Sequence, residues 1–216
     1  RRASREPLQY ILGSVGFYRE EYLVTPDCLI PRPDTEILVD CAIRNIPEGK
    51  SFLDLCTGTG CVAISTLKST KNTTALAVDI SDGALAVAEK NARLNSVSDR
   101  ITFQKADVLS EDIGGRFYAL LSNPPYVTPK EYEKSEPEIF SEPKIAFIGG
   151  DDGLLFYREI TERYKNKIEE GGFIAFEIGY LQGDALREIG KDSGFSVEII
   201  KDYSNKDRKS TRLNSS

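Results

Sequence analysis

Short apolar runs alternate with longer amphipathic stretches along most of the chain. Runs typical of buried strands occupy residues 52–55, 74–78, 101–103, 117–121, 173–178 and 196–200. Apolar residues at helical spacing before and between them predict helices over residues 35–46, 61–67, 82–95, 153–170 and 184–191. Strands that alternate with helices are typical of a mostly parallel, doubly wound sheet. We therefore predict an α/β fold.

The two ends of the chain depart from this alternation. Two β-rich runs, at residues 10–18 and 21–24, flank a short charged segment and predict a β-hairpin. Asp34 or Thr35 then provides the N-cap of the first helix. Residues 209–216 are polar throughout, so we expect a disordered or non-native tail there in preference to a poor edge strand.

Composition narrows the classes of function. The chain has 216 residues and a net charge of −6, which disfavours non-specific binding to nucleic acid. The apolar runs are shorter than the ~18 residues that a membrane span needs, so we expect a cytoplasmic protein that does not bind membranes. Four cysteines without any histidine provide no zinc ligand set and no histidine base. We expect no metal, and a chemistry that depends mainly on positioning.

The motif Asn123-Pro124-Pro125-Tyr126 directly follows the apolar run at residues 117–121. The prolines end the strand, so Asn123 lies at its carboxyl end, where open α/β sheets bind ligands. The Asn123 side-chain oxygen and the Pro124 carbonyl are two acceptors, and Tyr126 adds a flat aromatic face. Such a set suits a planar NH₂ group on a carbonyl or a ring. An ordinary turn is the alternative interpretation.

A glycine-rich turn, Cys56-Thr57-Gly58-Thr59-Gly60, lies between a predicted strand and a predicted helix. Gly58 and Gly60 let the backbone turn sharply and approach a ligand closely. Ala63 occupies the third position of a dinucleotide fingerprint, which tolerates alanine, so the spacing alone leaves NAD possible. Asp54 at the strand end argues against a diphosphate, and its carboxylate can hold the ammonium group of an amino acid.

Acidic residues also end the next two predicted strands. Asp79 follows the glycine loop by about 20 residues, where an acidic side chain accepts the hydroxyl groups of a ribose. Asp107 and Val108 are placed to bind an adenine, through the carboxylate and the backbone N–H. Each acid alone is more typical of a solvated strand end or a helix cap than of a ligand site. Three of them at successive strand ends, followed by Asn123, indicate a ligand site.

These motifs, in this order, resemble those of the S-adenosylmethionine-dependent methyltransferases that modify planar amino groups. The segment Ile30-Pro31-Arg32-Pro33-Asp34-Thr35-Glu36, together with Glu142-Pro143 and Gly149-Gly150-Asp151-Asp152-Gly153-Leu154, is similar to the HemK family. These protein-(glutamine-N5) methyltransferases act on peptide chain release factors. The resemblance runs from about residue 10 to about residue 207, and it implies a Rossmann-like class I methyltransferase fold preceded by a β-hairpin.

The resemblance also implies roles for individual residues. S-adenosyl-L-methionine is the expected cofactor and S-adenosyl-L-homocysteine its product. The implied cofactor-binding residues are Asp54, Cys56, Thr57, Gly58, Thr59, Gly60, Asp79, Asp107, Val108 and Asn123. Cys56 stands where the family usually has glycine. The implied catalytic residues are Asn123, Pro124 and Tyr126, and the substrate-binding set comprises Asn123, Pro124, Pro125, Tyr126 and Arg32.

The expected organisation follows from the same resemblance. Residues 1–30 are a linker and β-hairpin, the remnant of an N-terminal substrate-binding region. Residues 31–208 are the methyltransferase domain, and residues 209–216 are the disordered or non-native tail. A release factor is the expected protein substrate of a monomeric enzyme, with no membrane and no direct nucleic-acid partner.

Three other functions stay open at this point. Adenine also presents a planar NH₂ group, so a nucleic-acid adenine-N6 methyltransferase is one alternative, although the negative charge and the lack of a target-recognition domain disfavour it. A ribosomal-protein glutamine is another substrate within the same chemistry. A non-catalytic module that uses this fold only to bind a partner is the third, and the presence of Asp79 and Asn123 argues against it.

Overall fold

The computed structural model describes residues 1–201 and 209–215, which form a central β-sheet with apolar clusters on both faces. The strands are β1 (Ser14–Phe17), β2 (Glu20–Leu23), β3 (Ser51–Leu55), β4 (Thr74–Asp79), β5 (Ile101–Lys105), β6 (Phe117–Ser122), β7 (Ile168–Ile178), β8 (Phe195–Lys201) and β9 (Lys209–Ser215).

Helices connect most of these strands. They are α1 (Leu8–Leu12), α2 (Glu36–Asn45), α3 (Cys61–Ser69), α4 (Asp82–Leu94), α5 (Pro129–Tyr132), α6 (Leu155–Tyr164) and α7 (Gly183–Asp192). Short 3-10 helices lie at Arg2–Ser4, Pro33–Thr35, Pro137–Ser141, Lys144–Ala146 and Lys165–Lys167. No helix in the described ranges is long and apolar enough to cross a membrane.

The central sheet has the strand order β5-β4-β3-β6-β7-β9-β8 in the described part of the chain. The first five strands of this order pair in parallel, whereas β9 pairs antiparallel with both β7 and β8. The mostly parallel α/β sheet that the sequence predicts is confirmed. The strand order changes direction between β3 and β6, so their carboxyl ends border the crevice where such sheets bind ligands.

Side chains of β3 explain how the sheet holds the two apolar layers together. Phe52 belongs to the cluster that includes residues of α2 and α3, whereas Leu53 belongs to the cluster that includes residues of α6. Successive residues of a strand point to opposite faces of the sheet, and both side chains are fully buried. The sheet is therefore covered on both faces, and this leaves its carboxyl edge for a site.

The N-terminal hairpin is confirmed, but it is shorter than the sequence predicts. Residues 10–12 belong to helix α1, which Gly13 ends with a backbone φ of +82°. The hairpin consists of β1 and β2 alone. Its position is fixed by the buried Asn91 of α4, whose carboxamide accepts from Leu23 N and donates to Leu23 O, at 2.7 and 3.1 Å.

The polar end of the chain corrects the prediction of a disordered tail at residues 209–216. Lys209–Ser215 form β9, which is hydrogen-bonded to β7 on one side and to β8 on the other. Backbone pairing on both sides stabilises a strand whatever its side chains are, and Leu213 is fully buried. The expectation of disorder is therefore wrong for residues 209–215, because the composition of a segment does not show its backbone partners. Residue 216 lies outside the described residues.

The end of α6 and the start of β7 also differ from the prediction. The helix predicted over residues 153–170 ends at Tyr164, and Glu169 and Glu170 belong to β7. The pairing of β6 with β7 shifts register between Phe117 and Ala119, and Gly171 has a φ of +73°. This local irregularity makes β7 longer than the apolar run at residues 173–178.

Candidate active site

A cavity of about 420 Å³ lies beyond the carboxyl ends of β3, β4, β5 and β6. We call it the main cavity. It brings together several of the residues that the sequence predicts to bind the cofactor: Cys56, Gly58, Asp79, Asp107, Val108 and Asn123. Apolar side chains complete its walls, among them Leu29, Ile80, Ile148, Leu155 and Phe156. A cavity of this size and mixed lining is typical of sites for small organic ligands.

Two smaller cavities adjoin Asn123. The loop cavity, about 40 Å³, is lined by Pro31, Arg32, Thr35, Asp54, Thr57, Thr59 and neighbouring residues. The side slot, about 100 Å³, is lined by Leu29, Arg32, Asn123, Tyr126, Val127, Ala146, Phe147 and Glu177. Asn123 borders all three cavities, so it lies at their junction. The predicted site residues Pro124 and Gly60 line none of them.

Asp79 holds the glycine loop against the end of β4. Its carboxylate accepts from Gly58 N at 2.9 Å and from Ser81 N at 3.0 Å. Burial raises the pKa of Asp79 above its usual value, and the backbone donors oppose that rise by stabilising the charged form. The loop and the start of α4 are therefore fixed around one carboxylate, and that carboxylate faces the main cavity.

Asp54 is more deeply buried than its predicted role requires. Only 1 % of the residue is exposed, and its carboxylate accepts from Thr57 Oγ1 at 2.6 Å. Burial raises the pKa of Asp54 to about 7, although the Thr57 hydroxyl lowers it. Asp54 borders the loop cavity and not the main cavity, so a ligand group would have to reach it past the glycine loop.

Cys56 adopts a backbone conformation that favours glycine. Its φ of +58° lies in the left-handed region, which costs a residue with a Cβ atom about 1–2 kcal/mol. Burial raises the pKa of its thiol, which is consequently neutral at physiological pH. Glycine adopts this conformation without that strain, which gives a physical reason for the glycine that the family usually has at this position.

Asp107 places its carboxylate within its own turn. One oxygen accepts from Leu109 N at 2.9 Å, and the other accepts from Ser110 Oγ at 2.8 Å. This is the local capping arrangement that the sequence offers as the alternative to a ligand contact. Asp107 and Val108 both border the main cavity, and their contacts with an adenine stay a prediction.

Asn123 is connected to two residues that the sequence does not single out for function. Its Nδ2 donates to Thr35 Oγ1 at 3.2 Å, and Thr35 Oγ1 donates to Glu177 Oε2 at 2.5 Å. Tyr126 donates its phenolic hydroxyl to the other oxygen of Glu177 at 3.2 Å. The sequence assigns Thr35 to a helix N-cap, but its side chain makes no capping bond and contacts Glu177 instead.

The glycines at residues 149 and 153 explain how the Asn-Pro-Pro-Tyr segment is held. A Cβ atom on Gly149 would lie 2.5 Å from Pro125 O and 2.7 Å from Tyr126 Cα. A Cβ atom on Gly153 would lie 2.4 Å from Tyr126 O. These glycines therefore let one backbone pack directly on the other, which fixes the segment beside the cavity.

Gly149→Ala tests this packing. We expect the methyl transfer that the resemblance implies to fall about a hundredfold, since a displacement of roughly 1 Å in a reacting geometry costs that much. Gly114→Ala is the matched control, because nothing lies within 4 Å of a Cβ atom there. The measurement is the single-turnover rate of each variant with radiolabelled cofactor. Equal rates for the two variants would show that the segment does not depend on this contact.

Arg32 is anchored to a buried carboxylate. Its guanidinium forms an ion pair with Glu142, whose side chain is only 2 % exposed. The second Glu142 oxygen accepts from Ile30 N at 2.9 Å. The segment that carries Arg32 is thereby tied to Glu142, and Arg32 itself borders the side slot. Its part in substrate binding stays a prediction.

Comparison with known proteins agrees with this geometry. The family model described as "Methyltransferase small domain" matches residues 33–144. A release factor glutamine methyltransferase from Geobacter sulfurreducens is 39% identical over 197 residues, which are 90% of this chain and 68% of that protein. The chain belongs to the release factor glutamine methyltransferase family. A relative of the same name from Bacteroides thetaiotaomicron is 40% identical over 208 residues, 94% of this chain and 74% of that protein.

Solved structures place this family member among the methyltransferases by fold. The protein-(glutamine-N5) methyltransferase (release factor-specific) of Alicyclobacillus acidocaldarius superposes with a TM-score of 0.53 at 28% identity, over 90% of this chain and 99% of that one. A methyltransferase from Pyrococcus furiosus gives a TM-score of 0.67 at 18% identity, over 89% of this chain and 87% of that one, and shows the fold alone. The class I methyltransferase fold that the resemblance implies is confirmed.

Proposed function

We propose that this chain transfers a methyl group from S-adenosylmethionine to the side-chain nitrogen N5 of a glutamine in a peptide chain release factor. The observation that carries the proposal is the place of Asn123 at the junction of the main cavity and the side slot. One cavity suits a cofactor and the other suits a side chain that brings its NH₂ group to the same point. The name shared by the curated relatives supports the choice of substrate.

The charges around the main cavity fit a cationic methyl donor. Among the residues that the structure describes, its lining includes three carboxylates, from Asp27, Asp79 and Asp107, and neither a lysine nor an arginine. This lining would repel the diphosphate of a dinucleotide, which such proteins bind with backbone N–H groups and cations. It attracts a sulfonium with an ammonium group. We therefore favour S-adenosylmethionine over NAD, which the loop spacing alone leaves possible.

Asp79 and the loop residues would hold this cofactor. The Asp79 carboxylate has lone pairs left for ribose hydroxyls after it accepts from Gly58 and Ser81. Val108 and the apolar walls would enclose the adenine. When bound, S-adenosylmethionine supplies an electrophilic methyl group and leaves as S-adenosylhomocysteine. The side chains of this protein have the task of binding, orienting and desolvating the nucleophile.

The side slot fits the shape of a glutamine side chain. Leu29, Val127, Ala146 and Phe147 provide apolar surface for the methylene groups, and Asn123 borders the inner end. A carboxamide nitrogen is a weak nucleophile, because its lone pair is delocalised. The Asn123 oxygen would accept one of its hydrogens and turn the lone pair toward the methyl group, whereas Pro124, whose carbonyl is the predicted second acceptor, lines none of the three cavities. Alignment of this kind can supply about 7–11 kcal/mol of the barrier. As the C–N bond forms and the C–S bond of the donor breaks, the nitrogen would release one hydrogen to water as a proton.

The remaining features of the proposal follow from the same site. We propose that the enzyme acts as a monomer. We propose a cytoplasmic location, since a release factor acts where translation ends. The net charge of −6 supports a protein substrate over DNA or RNA. We also propose that residues 1–30, with the hairpin, contribute to binding the protein substrate.

Mass spectrometry of a release factor tests the proposed function. After incubation with the chain and S-adenosylmethionine, we expect a mass gain of one methyl group on the glutamine of the Gly-Gly-Gln motif. A release factor in which this glutamine is changed to alanine is the control and should gain none. Parallel reactions with ribosomal protein, DNA and RNA separate the alternatives. Methylation of any of these, with an unmodified release factor, would contradict the proposal.

A further inference from the structure

Buried hydrogen bonds connect Asn123, which follows strand β6, to Glu177 in the neighbouring strand β7. Asn123 donates to Thr35 Oγ1, Thr35 donates to Glu177, and Tyr126 donates to the same carboxylate. Thr35 is 2 % exposed and Glu177 is 7 % exposed. Thr35 and Glu177 are 142 residues apart in the chain, and they meet because the start of α2 packs against the end of β7.

The chemistry of these groups fixes which of them donates and which accepts in each hydrogen bond. An ionised carboxylate can only accept hydrogen bonds, so the Thr35 hydroxyl must donate its one hydrogen to Glu177. The Thr35 oxygen is then left as an acceptor, and the end of the Asn123 carboxamide that faces it must be the NH₂ group. The carboxamide oxygen of Asn123 is consequently the end left for a ligand.

If Glu177 were protonated, these donor and acceptor roles would no longer be fixed. The carboxyl group could then donate to Thr35, and the Thr35 hydroxyl could donate to the Asn123 oxygen. The carboxamide would be free to turn over, and its NH₂ group would meet the NH₂ group of the substrate. Two donors that face each other cannot form a hydrogen bond, so this orientation would not hold a glutamine.

We propose that ionised Glu177, acting through the Thr35 hydroxyl, is a positioning residue that orients the Asn123 carboxamide with its oxygen toward the substrate. This inference rests on the proposed function, because it takes Asn123 as the acceptor for a glutamine NH₂ group. Tyr126 is oriented by the same carboxylate, so one buried charge organises the acceptor and a wall of the side slot.

The setting of Glu177 makes its charge sensitive to pH near neutrality. Burial raises the pKa of Glu177 to about 7, and the hydrogen bonds from Thr35 and Tyr126 oppose the rise. Asp34 raises the pKa further, and Arg32 lowers it. The other titratable groups that interact with Glu177 are Cys61 and Tyr157. Since the ionised form is the orienting one, the transfer rate is expected to rise with pH through this pKa.

Variants of Thr35 test the inference by kinetics. Thr35→Val keeps the shape but removes the hydroxyl, and we expect the transfer rate at saturating substrate to fall about 10–100-fold. Thr35→Ser keeps the hydroxyl and is expected to stay within about threefold of the parent chain. The rise of the rate with pH should persist in Thr35→Ser and disappear in Thr35→Val. Equal rates and equal pH profiles in the two variants would overturn the inference.

A second measurement needs neither substrate nor cofactor. In a sample labelled with ¹⁵N-asparagine, the side-chain NH₂ signals of Asn123 are identified by their loss in Asn123→Gln. We expect these signals to shift with pH around neutrality in the parent chain, and not in Thr35→Val or Glu177→Gln. Signals that do not move from about pH 5 to pH 9 in the parent chain would overturn the inference. A release factor that stays unmethylated would instead refute only the proposed function.

Discussion

Replacing Asn123 with alanine is expected to lower the rate of methyl transfer to glutamine about a thousandfold, since loss of one preorganised hydrogen-bonding group in a catalytic site has effects of that order. In the proposed mechanism, the side chain is an acceptor that orients the substrate NH₂ group. Its own NH₂ group is bonded to Thr35 at 3.2 Å, so the acceptor is held in place before the substrate arrives. Alanine has no side-chain oxygen that could accept a hydrogen from the substrate NH₂ group, and neither water nor a neighbouring residue holds an acceptor in the same position.

Cofactor binding is expected to change little in the same variant. We propose that the cofactor is held mainly by Asp79, the glycine loop and the apolar walls of the main cavity, which Asn123 also borders. Calorimetric titration with S-adenosylhomocysteine should therefore give a dissociation constant within about threefold of the parent value. Single-turnover assays with a release factor measure the transfer rate separately from binding.

A matched control distinguishes a local effect from a general one. Asn45→Ala removes another carboxamide, which donates to Cys41 O at 2.8 Å within its own helix α2. We expect this variant to retain both cofactor binding and transfer. If Asn123→Ala lost binding and transfer together, Asn123 would be a structural residue, and the proposed role of the side slot would have no support.

The parts of the site that the sequence predicts are those encoded by neighbouring residues. The prolines after Asn123 mark a strand end, and the glycines after Asp54 mark a tight turn, whatever the rest of the chain does. Asp79 follows an apolar strand directly. Parallel strands bring such ends to one edge of a sheet, and the main cavity lies there.

The parts that the sequence does not predict depend on distant contacts. Thr35 looks like a helix cap, and Glu177 looks like a charged residue within a strand, because nothing local indicates that they meet. A glutamate inside the apolar run at residues 173–178 was the available signal, since a buried charge needs a partner. Strand β9 was missed for a related reason, because its stability comes from the backbone of β7 and β8.

Replacing Asp79 with alanine is expected to affect cofactor binding more than the transfer rate, which is the opposite of what we expect for Asn123→Ala. The carboxylate is the predicted acceptor for two ribose hydroxyls, and each hydrogen bond to a charged group contributes about 1.5–3 kcal/mol. Loss of two such bonds should weaken cofactor binding about a thousandfold, which corresponds to roughly 4 kcal/mol. Titration calorimetry with S-adenosylhomocysteine gives the dissociation constant directly. At a cofactor concentration far above that constant, the transfer rate should recover substantially.

The loop contacts of Asp79 require their own control. Alanine also removes the acceptor for Gly58 N and Ser81 N, so the variant could lose affinity through a displaced loop. Asp79→Asn keeps the shape and one oxygen, and we expect a loss of affinity near tenfold. Asp82→Ala, three residues away, removes an exposed carboxylate paired with Lys105 and should leave affinity unchanged.

Thermal unfolding separates the two causes of lost affinity. If Asp79→Ala unfolds at nearly the parent temperature but binds weakly, the carboxylate contacts the ligand. If it unfolds much earlier and Asp79→Asn binds as well as the parent, the carboxylate serves the loop alone. The second result would contradict the assignment of the ribose to the end of β4. Opposite profiles in Asp79→Ala and Asn123→Ala would instead establish that one strand end binds the methyl donor while another orients the acceptor.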